Sequence, residues 1–392
     1  MSQLPLPHRF GRYVLFDRIG QGGMAELFLA RQHATLASDH LFVVKLILPI
    51  YADRPEFAEM LIAEAKLAAG LTHANIVTVW ELGREEGRLF IVMDYVEGFD
   101  LAALLKRCSK EKVALPTELA LHAVLELLQA LDYAHKKNVV HRDVSPSNVL
   151  VSFEGEVKLC DFGIARANDL LGSEHPDEAI TGKAGYMSPE QARGDALDGR
   201  ADVFAAGIIF WELLAGRKLY RASAEAGDLF EQARAANVPD LPPRGLPDEA
   251  KLQAIARRAL ARDRDERYAT AGEMRADLGA WMADAKLVAN PIRLGEWLRE
   301  HFGTELLAQR GAREAAAKAL EPSPKPAPAI VTPQAPRIEY KDDEPPPESL
   351  SPLDVSPPSR QPPREKPKSP PWGYIAAGVV VAGVVAWLLS RA

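Results

Sequence analysis

Three side chains that end in oxygen, Asp143, Asn148 and Asp161, fall in the stretches HRDVSPSNVL and VKLCDFGIARA, on predicted loops flanking two short apolar strands. Hard divalent cations such as Mg²⁺ select ligands of this kind, and few are needed where phosphate oxygens complete the shell. Upstream, IGQGGMAELFLA at 19–30 sets Gly20, Gly22 and Gly23 between two predicted strands. Glycines there let backbone amides approach a phosphate with no Cβ in the way, while Ile19 and Leu27 can close over a flat base. Taken alone, this is also the composition of an ordinary hairpin. Lys45 sits among apolar residues in the strand FVVKLI, and a buried ammonium needs an anionic partner. Glu64, in the helical stretch FAEMLIAEAKLAAGL, is the first candidate and Glu59 the second.

The elements that must position these groups change character along the chain. YVLFDRI, AELFLAR, LFVVKLI, IVTVWEL and RLFIVMDYV are short, rich in β-branched and aromatic residues, and separated by glycine or charge, which predicts a small antiparallel sheet. From about residue 100 the apolar positions recur three and four apart, as in ELALHAVLELLQALDYAHKKN, the period of helices. The expected class is α+β, a β-rich lobe followed by an α-rich lobe over residues 13–282. Residues 283–320 read as one or two amphipathic helices packed against the second lobe.

On these motifs, in this order and spacing, residues 13–282 resemble the protein kinase family, in particular the bacterial kinases built on the eukaryotic Ser/Thr plan. The resemblance implies a bilobal kinase fold, ATP and Mg²⁺ as cofactors, and protein substrates. It implies that the glycine loop covers the phosphates and that Lys45 holds the α- and β-phosphates while paired with Glu64. Asp143 then accepts or orients the substrate hydroxyl proton, and Asn148 and Asp161 bind Mg²⁺. Met93 would line the back of the adenine pocket, with Val43 in the same pocket and Leu150 as its floor. Asp94 and Val96 would offer backbone hydrogen bonds to adenine, and Asp100 would approach the ribose. GYMSPEQ resembles the end of an activation segment, with Glu190 paired to Arg267. Asp202 and His141 are expected to be structural, and Pro146 favours the Ser/Thr branch.

Three positions depart from the family pattern. Ala25 stands where the loop's third glycine is expected, and one methyl should be tolerated there. Ser145 replaces the lysine that, in Ser/Thr members, neutralises the γ-phosphate. Lys183 stands three residues before Tyr186, where those members carry threonine. One reading is that Lys183 supplies the missing charge as a catalytic residue; the other is a solvent-facing lysine. Arg142 before Asp143 suggests control by a phosphate on the activation segment, with Thr181 the first candidate acceptor and Ser173 the second. Ser145 also keeps open a rival function, a pseudokinase that binds ATP or partners without transfer.

A net charge of −7 over 392 residues, without a long basic block before the far C-terminus, argues against a nucleic-acid surface. Two cysteines, Cys108 and Cys160, are too few for a disulfide framework or a zinc cluster. MSQLPLPHRF has no apolar core of a secretory leader. Residues 321–371 hold 17 of the 30 prolines and read as an extended, disordered linker. From Trp372 to Leu389 no residue is charged, and those residues make a helix of about 27 Å, near the lower limit for a bilayer core of about 30 Å. Residues 372–390 are therefore expected to be a transmembrane tail anchor. Arg364, Lys366 and Lys368 just before it would keep the body on the cytoplasmic face of the cell membrane. Gly378, Ala382 and Ala386 form a small-residue stripe on which a homodimer could close.

Overall fold

The computed structural model describes residues 4–22, 25–32, 40–52, 55–162, 184–221 and 228–318. Gly23, Ser173, Thr181, Lys183, the proline-rich stretch and the apolar segment at 372–390 lie outside the described residues. No helix among the described residues is long and apolar enough to cross a membrane.

Six antiparallel strands build the first lobe: β1 His8–Phe10, β2 Tyr13–Gln21, β3 Ala25–Gln32, β4 Phe42–Ile47, β5 Val79–Glu85 and β6 Arg88–Asp94, in the order β1-β2-β3-β4-β6-β5. Both faces of β4 are covered, so it reads as a continuous apolar run interrupted by Lys45. Glu86 and Gly87 both take positive φ between the paired residues Glu85 and Arg88, the two-residue turn whose twist suits a hairpin. Register shifts between Leu15 and Asp17 and between Arg18 and Gly20 bend β2 where it approaches the glycine loop. Two helices follow β4, α1 Pro49–Ala52 and α2 Pro55–Ala69, and α2 packs on β5.

The second lobe opens with β7 Gly98–Asp100, which pairs with β8 Val149–Ser152, and β8 in turn with β9 Val157–Leu159. Its helices are α3 Leu101–Glu111, α4 Thr117–Lys136, α5 Pro189–Arg193, α6 Gly199–Ala215, α7 Leu229–Ala235, α8 Glu249–Ala259 and α9 Ala271–Asp284. Helix α6 is apolar around its whole circumference and buried on every side, the pattern of a central helix. At Gly207 an added Cβ would lie 3.0 Å from Ala259, which explains how α8 comes so close to α6. Together the two lobes form the expected bilobal α+β architecture.

The appended segment is a single 28-residue helix, α10 Pro291–Lys318. Leu294, Leu298, Phe302 and Leu306, four apart, are its buried stripe. The helix does more than pack on the second lobe: it runs past the segment between the lobes and reaches β2.

Candidate active site

The loop between α4 and β8 is held by one buried carboxylate. Asp202, in the first turn of α6, accepts from the backbone amides of His141 (2.7 Å) and Arg142 (2.8 Å) and from His135 Nε2 (2.8 Å). Burial pushes the Asp202 pKa up, but the His135 hydrogen bond and the charges and amide around it outweigh that, so its net shift is downward. The His141 ring is fully buried and spends both nitrogens on backbone: Nε2 donates to Cys160 O (2.8 Å) and Nδ1 accepts from Asp143 N (3.2 Å). This fixes one neutral tautomer and ties the loop of Asp143 to the strand end before Asp161. Arg142 and Asp161 both take positive φ, 66° and 61°, a conformation costing non-glycine residues about 1–3 kcal/mol and common where function dictates the backbone.

Asn148 donates Nδ2 to Asp143 Oδ2 (3.0 Å) and to Asp143 O (2.7 Å), which leaves its Oδ1 as the end directed elsewhere. Across the cleft, Lys45 Nζ donates to Asp161 Oδ1 at 2.8 Å. Lys45 is 8% exposed and its pairing with a carboxylate offsets its desolvation. Glu59 is exposed, and Glu64 lies in α2 with its side chain outside the described residues. Ser145 is buried, its Oγ 2.9 Å from Ser147 Oγ.

Above this polar group lies an apolar cluster. Val43 and Met93 are buried in it, and Leu27, Val96, Leu150 and Cys160 pack against it half-buried. Ile19 is 39% exposed at the rim. Gly20 pairs with Leu27 across the hairpin, and Gly22 N donates to Ala25 O at 2.8 Å. Ala25 turns its methyl into the same apolar cluster, which explains why a Cβ is accommodated there. Asp94 N donates to Thr78 O, while its carboxylate takes hydrogen bonds from Trp80 Nε1 (2.6 Å) and His40 Nε2 (3.2 Å). Asp100 caps α3, accepting from Ala103 N at 2.7 Å.

The far side of the loop is closed by Glu190 and Arg267, joined by two bonds of 2.6 and 2.8 Å and almost wholly buried. Burial alone would raise the Glu190 pKa, but the guanidinium fork more than reverses it. Several supporting residues escape a reading of sequence. His135 reaches Asp202 from α4, and Gln191 Nε2 donates to Arg142 O at 2.7 Å. Gln191 had a signal: it completes the capping box of α5 with Ser188, and Ser-x-x-Gln before a helix is legible. His135 had none, because its partner lies 67 residues away.

The centre thus has an ammonium paired to a carboxylate, an amide holding a second carboxylate, and an apolar slot above them. It can seat an anionic polyphosphate ligand bearing a flat base and present a carboxylate to a hydroxyl. Comparison with known proteins agrees. The protein kinase domain family matches residues 13–277. Among curated proteins, the tyrosine-protein kinase MasK of Myxococcus xanthus is 36% identical over 317 residues, 78% of this chain and 48% of that protein. The serine/threonine-protein kinase PknB of Mycobacterium leprae is 37% identical over 279 residues, 69% of this chain and 43% of that protein. The chain therefore spans about half or less of the length of these relatives. Among solved structures, the kinase domain of Mycobacterium tuberculosis PknI superposes with a TM-score of 0.55 at 28% identity, covering 71% of this chain and all of that one. The chain belongs to the protein kinase family.

Proposed function

We propose that the chain is an ATP-dependent protein kinase that phosphorylates Ser or Thr hydroxyls of protein substrates, tethered to the cytoplasmic membrane by residues 372–390. The observation that carries the reading is the convergence of Lys45–Asp161 and Asn148–Asp143 beneath one apolar slot. Asn148 Oδ1 and the Asp161 carboxylate make a hard-oxygen donor pair suited to Mg²⁺, with phosphate completing the shell. Bound there, the ion would neutralise charge on the phosphates. Lys45 binds the phosphate chain, and the apolar slot excludes water around the base. Asp143, oriented by Asn148 and by the His141-anchored backbone, holds the acceptor hydroxyl and takes its proton. Regulation by a phosphate on Thr181 or Ser173, received by Arg142, belongs to the same proposal. Arg142 Nε, buried and without a hydrogen-bond partner among the described residues, supports a guanidinium built to receive such a group.

The Ser/Thr assignment draws on Pro146 and on the relatives named serine/threonine kinases. The Myxococcus relative's name favours a second acceptor class, tyrosine. Phosphoamino-acid analysis of product labelled from ATP separates them: phosphoserine or phosphothreonine is expected, and phosphotyrosine alone would overturn the assignment. The membrane tether draws on the uncharged run Trp372–Leu389 and the basic residues before it.

A further inference from the structure

Helix α10 is built to lie where it does. Gly155, at φ +84°, and Gly295 face each other: a Cβ on Gly155 would sit 1.7 Å from Pro291 O, and one on Gly295 would sit 2.8 Å from the Glu154 carbonyl carbon. Backbone therefore meets backbone where the first turns of α10 cross the β8–β9 turn. One level up, Phe302 packs edge-on against Phe99, with centroids 5.7 Å apart. Beside it Arg107 forks onto Glu305 at 2.6 and 3.0 Å and lies over the Phe99 ring.

The last turns reach the segment that joins the two lobes. Arg310 Nε donates to both Glu97 oxygens (2.9 and 3.0 Å), Arg313 adds a contact at 3.4 Å, and the Arg313 guanidinium lies 4.8 Å over the Tyr95 ring. Arg313 is itself oriented by Gln309 Oε1 at 3.0 Å. Glu97 is tied a second time through its backbone, since Glu97 O accepts from Phe153 N (2.9 Å) while Arg299 of α10 holds Phe153 O. Tyr95 and Glu97 bracket Val96, whose backbone makes no hydrogen bond among the described residues. The two residues flanking an available backbone donor and acceptor are thus both gripped by one helix.

We propose that α10 is a strap across the interlobe segment, and that Arg310 and Arg313 are positioning residues for nucleotide: they fix Glu97 and Tyr95, and so set the Val96 backbone that meets the base. This deepens the kinase reading and rests on it. The arginines hold Glu97 and the Tyr95 ring, so their effect passes through the backbone that meets the base. Their loss should therefore weaken adenosine and ATP alike, whereas loss of the Lys45 charge would weaken ATP and spare adenosine.

The test is calorimetric titration of the full chain with adenosine and with Mg·ATP, using wild type, Arg310→Gln/Arg313→Gln and Glu97→Gln. Both ligands should weaken by the same factor, about 2- to 30-fold, in either variant, and the triple change should add little because the three residues act as one unit. A charge exchange, Glu97→Arg with Arg310→Glu, should recover part of the loss, which a variant that merely folds poorly would not. Affinities within twofold of wild type, or a loss confined to ATP, would overturn the strap while leaving the kinase reading intact. Wild type that binds neither ligand would overturn both.

Discussion

At the residue scale the departures from the family pattern and the buried charges make the sharpest demands. Ser145 is buried against Ser147 and brings no cation to the transferring phosphate. Phosphoryl transfer relies on positioning and on positive charge at that group. If Lys183 supplies that charge, Lys183→Met should cut turnover about 10²–10³-fold, the cost of removing one such donor; steady-state kinetics showing a loss below about threefold would refute it. Ser145→Lys with Lys183→Thr should then restore part of the activity. The Glu190–Arg267 pair tests stability instead. Arg267→Met strands a carboxylate that is only 3% exposed, so chemical denaturation should show a loss of about 3–5 kcal/mol. Acid acts on the same groups with a definite sign. Glu190 and Asp202 both have folded pKa values below the ordinary values of 4.5 and 3.8 for their carboxyls. Their stabilisation is therefore complete above the unfolded values and is lost as pH falls through the lower, folded ones. The contribution of these two carboxylates should accordingly be flat from neutrality to about pH 5 and fall below it, on top of a decline that begins near pH 6.5 because burial lowers the pKa values of His73 and His122. The identities of Lys45, Asp143, Asn148 and Asp161 were legible because their types and order carry the chemistry. The contact of Lys45 with Asp161 was not: Asp161 lies 116 residues away, and no local pattern joins them.

At the element scale the strands were legible and the strap was not. The five apolar segments read from sequence correspond to β2–β6, because alternating burial and turn residues are local signals. Helix α10 announced itself as amphipathic, but its docking depends on Gly155 meeting Gly295 and on arginines finding Glu97 more than 200 residues upstream. Gly155→Ala isolates that docking. Its methyl would overlap Pro291 O, whereas the methyl of Gly194→Ala, at a similar φ of +75°, would meet open space. Gly194→Ala should cost about 1–2 kcal/mol of backbone strain, and Gly155→Ala should exceed it by about 1–3 kcal/mol of overpacking. Thermal or urea denaturation of the two variants side by side measures the difference; equal losses would mean that α10 does not need this contact.

At the scale of the whole molecule, composition bounded the class and the order of motifs set the architecture, since a β-rich lobe before an α-rich lobe follows from where the hydrophobic period changes. What lies beyond α10 rests on composition alone. Removing residues 372–390 should move the protein from the membrane pellet to the soluble fraction, and an unchanged distribution would count against the tether. Neighbours held on one surface would also meet at high effective concentration, so phosphorylation of one copy by another should fall on removing the anchor. The most direct test of the account is transfer of labelled γ-phosphate from ATP with Mg²⁺ by the full chain, beside Asp143→Asn. Label is expected on the protein or a generic substrate with wild type, and none with Asp143→Asn. No label with wild type, while ATP still raises its melting temperature, would contradict it and make the chain a nucleotide-binding pseudokinase.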